Sequence, residues 1–99
     1  MTKEIWKFKL NAGPGSYLLP TKGATVQHFG TQFGDSVYDL CLWFMIDPAT
    51  VNDTRAERIV KLYGTGHEIP DDINETCERL GTVVLNGGAL VAHAFLEKE

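Results

Sequence analysis

The sequence predicts an all-β domain: a single small antiparallel β-sandwich or barrel-like unit of about six or seven strands, occupying residues 1–99. Three observations lead there. Short apolar runs recur along the whole chain between Gly, Pro and Asn residues. The run at 36–48 (SVYDLCLWFMIDP) is apolar on both of its alternating faces. Asn86-Gly87-Gly88 separates two further apolar runs near the end. Such spacing belongs to strands joined by tight turns rather than to long amphipathic helices.

The 36–48 run is the expected central strand. Val37, Asp39, Cys41, Trp43 and Met45 alternate with Tyr38, Leu40, Leu42, Phe44 and Ile46, so a strand here is covered on both sides, Asp39 excepted. A buried helix is the rival for any short apolar run. Aromatic and branched residues, with Pro48 as a stop, favour the strand.

From the beginning, 3–10 places Trp6, Phe8 and Leu10 on one face and Ile5, Lys7 and Lys9 on the other. That is a half-buried strand with a basic, pairing-averse edge. AGPG at 12–15 is a turn, since Pro14 fixes φ and its glycine neighbours accept positive φ. Tyr17, Leu18 and Leu19 form a second strand closed by Pro20, and Thr21-Lys22-Gly23 turn the chain again. Residues 24–29 (ATVQHF) form a third strand, with Val26 and His28 on one face and Gln27 and Phe29 on the other. The following 30–34 (GTQFG) extends that strand or turns into the central one.

After Pro48, the polar stretch 49–54 reads as a loop or a single helical turn. Residues 55–63 (RAERIVKLY) alternate Arg58, Val60 and Leu62 against Ile59, Lys61 and Tyr63, as a strand that leaves the core at its N-terminal end; a short amphipathic helix is the alternative. Loop residues fill 64–72, and 73–78 has room for one helical turn. Runs 80–85 and 89–96 make a closing hairpin, because Asn and Gly accept the positive φ of tight turns. In its second arm Val91, His93 and Phe95 oppose Leu90, Ala92 and Ala94. The two alanines allow another layer to come close.

Composition narrows the function classes. At 43% hydrophobic residues the chain folds, and a formal charge of −4 argues against a nucleic-acid-coating surface, which needs a basic stripe. Cys41 and Cys77, 36 positions apart, form neither a CxxC pair nor a disulfide framework. The N-terminal MTKEIWKFKL lacks the apolar segment of a signal peptide, and no run reaches membrane-spanning length. A soluble cytoplasmic protein is the expectation.

The most unusual composition lies at 63–72 (YGTGHEIPDD). Gly64 and Gly66 around Thr65 free the backbone to present successive N–H groups to an anion. His67 adds a donor, Tyr63 a ring face, and Asp71 and Asp72 carboxylates for a cation or sugar hydroxyls. The segment is neither a Walker sequence nor GxGxxG, and an ordinary exposed connection has the same composition. His28, His67 and His93, separated by 39 and 26 residues, show no zinc-ligand spacing. Cys77 has no nucleophile elbow or oxyanion motif around it. No catalytic residue, metal or cofactor is therefore assigned, and a non-enzymatic role is favoured.

IWKF at 5–8, CLWFMIDP at 41–48, YGTGHEIPDD at 63–72, Leu80-Gly81-Thr82 and GGALVAHAF at 87–95 occur in order along the chain. In this combination the sequence resembles a family of small phage- or prophage-encoded proteins without an established general function. GTQFGDSVYDL and NETCE are less typical of it. The resemblance implies a phage origin, residence in the cytoplasm of the infected bacterial host, and an accessory role such as counter-defence; it carries no catalytic residues.

Two readings of different class follow. One is a binder of a small anionic, nucleotide-like ligand through Tyr63, Gly64, Thr65, Gly66, His67, Asp71 and Asp72. The other is an inhibitor docking on a host protein. Partners are thus a small phosphorylated ligand or a host protein, with no nucleic acid and no membrane. A homo-oligomer is expected, because a small chain rich in aromatics gains core by symmetric association.

Overall fold

The computed structural model describes residues 2–10, 14–34, 39–50 and 54–98. The expected entry to the central strand at 36–38, and the first half of the AGPG turn, lie outside them. Within them run seven strands: β1 (Glu4–Lys9), β2 (Gly15–Leu19), β3 (Thr25–Thr31), β4 (Leu40–Ile46), β5 (Arg58–Gly64), β6 (Cys77–Leu85) and β7 (Leu90–Glu97). One helical turn, α1 (Ile73–Thr76), precedes β6, and short 3₁₀ turns occupy Pro48–Thr50, Thr54–Ala56 and Asn86–Gly88. The first sheet has the order β1-β4-β3 and the second β2-β5-β7-β6; every pairing is antiparallel.

Alternation explains the sandwich. Leu40, Leu42, Phe44 and Ile46 of β4 turn inward, meeting Val60 and Leu62 of β5 and Ala92, Ala94 and Leu96 of β7 in one core. Trp6 and Phe8 pack against it from β1, with the Phe8 ring edge-on to Phe44 at 6.1 Å. Ala92 and Ala94 do admit another layer, and that layer is the protein's own first sheet. Opposite Ala94 on β6, the Cβ position of Gly81 lies 3.8 Å from Phe29 of β3. At the hairpin tip Gly87 and Gly88 take φ of 65° and 101°, the conformation the Asn-Gly-Gly signal requires.

Three expectations change. The central strand is fully buried on its inward side only: Cys41 is buried outward, but Trp43 and Met45 are half-buried. Val26 and His28 do not share a face. A bulge at Gln27 sets Val26 opposite Phe44 and Phe29 opposite Leu42, both inward, and swings His28 outward beside Trp43. Lastly, β5 does not leave the core at its start. Arg58 is buried, its guanidinium donating to the carbonyls of Thr21 and, at 3.3 Å, Ala24, while its Nε has no partner among the described residues. A backbone bond from Lys22 to the Ala56 carbonyl (2.7 Å) fastens the same turn.

Between β3 and β4, the amides of Phe33 and Gly34 (2.9 Å for the latter) both donate to one carboxylate oxygen of Asp39. These bonds, the Phe33 amide foremost, hold the Asp39 carboxyl below its ordinary pKa. Burial pushes the neighbouring Cys41 thiol up, and both cysteines are free.

Candidate functional site

The last residues of β5 enter the expected loop, and their strand neighbours decide what it can do. Pairing sets Tyr63 beside His93 of β7, and His93 beside Thr82 of β6. Lys61, Phe95 and Arg79 form the adjacent row on the same outward face. Past the end of β5 the Thr65 amide still reaches the Val91 carbonyl at 3.3 Å, keeping Thr65 against β7.

A line of hydrogen bonds crosses this face. The Thr65 hydroxyl lies 2.9 Å from Nε2 of His93, and the Thr82 hydroxyl lies 3.0 Å from Nδ1. The Arg79 guanidinium donates to the Thr82 oxygen at 2.8 Å. One self-consistent arrangement has Thr82 donating to Nδ1 and Nε2–H donating to Thr65, which leaves the Thr65 hydroxyl hydrogen free to donate outward. His93 is half-buried, whereas Thr65, Thr82 and Arg79 are exposed. The line thus ends in solvent with one free hydroxyl donor, on Thr65, and a guanidinium, groups suited to phosphate oxygens.

A bulge makes it possible. Alternation alone would send Arg79 and Thr82 to opposite faces, but the register slips between Arg79 and Gly81 and brings both outward. Gly81 takes φ of 150°, which a residue with a side chain rarely adopts.

The sequence-chosen residues separate into four groups. Thr65 belongs to the line. Tyr63 stands beside it, its ring edge-on to Phe95 at 5.9 Å and packed on the small cluster of Ile73, Cys77 and Phe95. Gly64, Gly66 and His67 form a self-contained turn: Gly64 N–H donates to Nδ1 of His67 (3.0 Å), and His67 N–H to the Gly64 carbonyl (3.1 Å). Gly66 takes φ of 90° there. The amides of residues 64, 65 and 67 are consequently bonded within the protein. Asp71 and Asp72 are exposed; the Asp72 carbonyl accepts the amides of Glu75 and Thr76 (2.9 and 3.0 Å), opening α1.

Arg79, Thr82 and the placement of His93 are what sequence reasoning missed. Gly81 inside an apolar strand was the available signal for a bulge. Among the described residues no group of three or more His, Cys, Asp or Glu side chains is placed to hold a metal ion, and no helix is long and apolar enough to cross a membrane.

No curated protein and no solved structure matches this chain. A family model does, over residues 1–99, and the chain belongs to that family, described as a domain of unknown function (DUF7352).

Proposed function

We propose that this protein is a non-enzymatic phage accessory protein that binds a small anionic, nucleotide-like ligand on the outward face of β5, β7 and β6. The observation that carries the reading is the Thr65–His93–Thr82–Arg79 line, which orients a guanidinium and two hydroxyls on an exposed sheet face. Lys61 in the adjacent row adds positive charge, and Tyr63 brings a ring edge. The phage setting, a counter-defence role and residence in the host cytoplasm rest on the resemblance of the sequence motifs. Calorimetry with mono-, di- and cyclic nucleotides tests the reading. Wild type should bind at least one, and Arg79→Ala should weaken it about tenfold, the size of one charge-assisted contact. Absence of heat with the whole panel, or equal binding by the variant, removes this reading.

A second reading, docking on a host protein, is favoured by the large apolar residues left exposed. Leu18 and Val84, on the two edge strands of the second sheet, are 61% and 60% exposed. The same edges are where self-association belongs, since Ala92 and Ala94 are spent inside the sandwich. A monomer mass by light scattering at micromolar concentration would remove the oligomer from the proposal.

A further inference from the structure

We propose that the outward face of the first sheet is a platform for short single-stranded nucleic acid, independent of the ligand face of the second sheet. No outward position of its three strands is acidic; those of β1 are exposed, whereas Cys41 of β4 and its partner Gly30 of β3 are buried. This contrasts with the chain as a whole, in which 13 acidic residues outnumber 9 basic ones. Lys7 and Lys9 project from β1, opposite Trp43 and Cys41 of β4, and Lys3 continues their alternation. Positive charge is therefore concentrated along one edge of an otherwise acidic molecule, where it can follow a phosphate backbone.

Rings supply the second half of the argument. Trp43 is half-buried, and His28 lies beside it with ring centroids 5.4 Å apart. The Lys7 ammonium donates to the Gln32 side chain, tying the turn after β3 to this face. On that turn Phe33 is 83% exposed, an unusual state for a large apolar ring. Among the described residues that follow the turn, Asp39 accepts the Phe33 and Gly34 amides on one carboxylate oxygen. Rings spaced among lysines match what binds single strands by stacking and phosphate contact. A duplex, whose bases are already stacked, cannot use the rings.

The test is fluorescence anisotropy with a labelled oligothymidylate of about twelve nucleotides at low salt. Wild type should bind with a dissociation constant below roughly 100 µM and weaken as salt rises. The Lys7→Ala/Lys9→Ala double variant should bind about tenfold more weakly, and Phe33→Ala about fivefold. Both change exposed side chains, so circular dichroism should show an unaltered fold. Arg79→Ala, on the opposite face, should bind the strand like wild type, so this proposal can fail or succeed separately from the nucleotide reading. No binding up to that concentration, equal binding by all variants, or equal binding of the matching duplex would each overturn it.

Discussion

The outer faces of the two sheets have different fates. On the second sheet the connection between β5 and β6 folds back over the strands, and Ile73 of α1 closes on Cys77, Phe95 and Tyr63. On the first sheet, by contrast, the described part of the β3–β4 connection reaches the face through the Lys7–Gln32 bond, and Trp43 stays half-exposed. Strand composition does not account for this: Trp43 is as apolar as Phe95. The cover comes from the connections, so the burial of an outward residue depends on sequence far from its own strand. One sheet therefore has a small second core with a polar line beside it, and the other an open aromatic and basic surface.

The largest expected effect sharpens the contrast within β4. Phe44 is fully buried, so Phe44→Ala should cost about 3–5 kcal/mol, while Trp43→Ala, on the open side, should cost about 1–2 kcal/mol. Urea midpoints measure both; equal losses would mean that the outer face is covered after all. Next comes the roof of the second sheet. Ile73→Ala should cost about 2 kcal/mol, the low end for a buried isoleucine because its cluster is small. A loss within error of zero would mean that α1 lies loosely on the strands.

Smaller still is the turn that closes β5. A Cβ on Gly64 would lie 3.0 Å from the His67 ring, and the exposed ring would swing away and lose its bond to the Gly64 amide. Gly64→Ala and His67→Ala should each cost about 1 kcal/mol, and the double variant little more, since both remove the same bond. Additive losses would show that the ring and the amide are not coupled.

The smallest effect depends on pH. Asp39 has a folded pKa below its ordinary value, so its stabilising effect is present above the usual carboxylate range. It is lost as pH falls through that lowered value. The stability difference between wild type and Asp39→Asn should therefore be constant near neutrality and shrink in acid. A difference that grew on acidification would mean the Phe33 and Gly34 amides do not favour the charged form.

Most strands were legible because alternation and turn residues agree: Trp6 and Phe8 against Lys7 and Lys9, or the hairpin at Asn86-Gly87-Gly88. What escaped depends on distance or on bulges. Gln27 gives no local hint of a bulge, so the face of His28 was misplaced. Arg58 reads as an exit from the core, yet it is buried because carbonyls from the 21–24 turn, more than thirty positions earlier, accept its protons. The candidate site shows the same division. Thr65 was singled out from its glycine neighbours, but its partner His93 lies 28 positions away and is brought there by strand pairing. The glycines around Thr65 suggest a backbone that offers successive amides to an anion, yet the amides of Gly64, Thr65 and His67 already have acceptors in the His67 ring, β7 and the turn itself.

The central claim is that an anionic ligand sits on the outward face of β5, β7 and β6, and amide and imidazole NMR during a nucleotide titration addresses it most directly. The account predicts shifts concentrated at Thr65, Arg79, Thr82 and the His93 ring nitrogens, with Trp43 and Phe33 unmoved. Shifts confined to the first sheet, or none at saturating nucleotide, would contradict it.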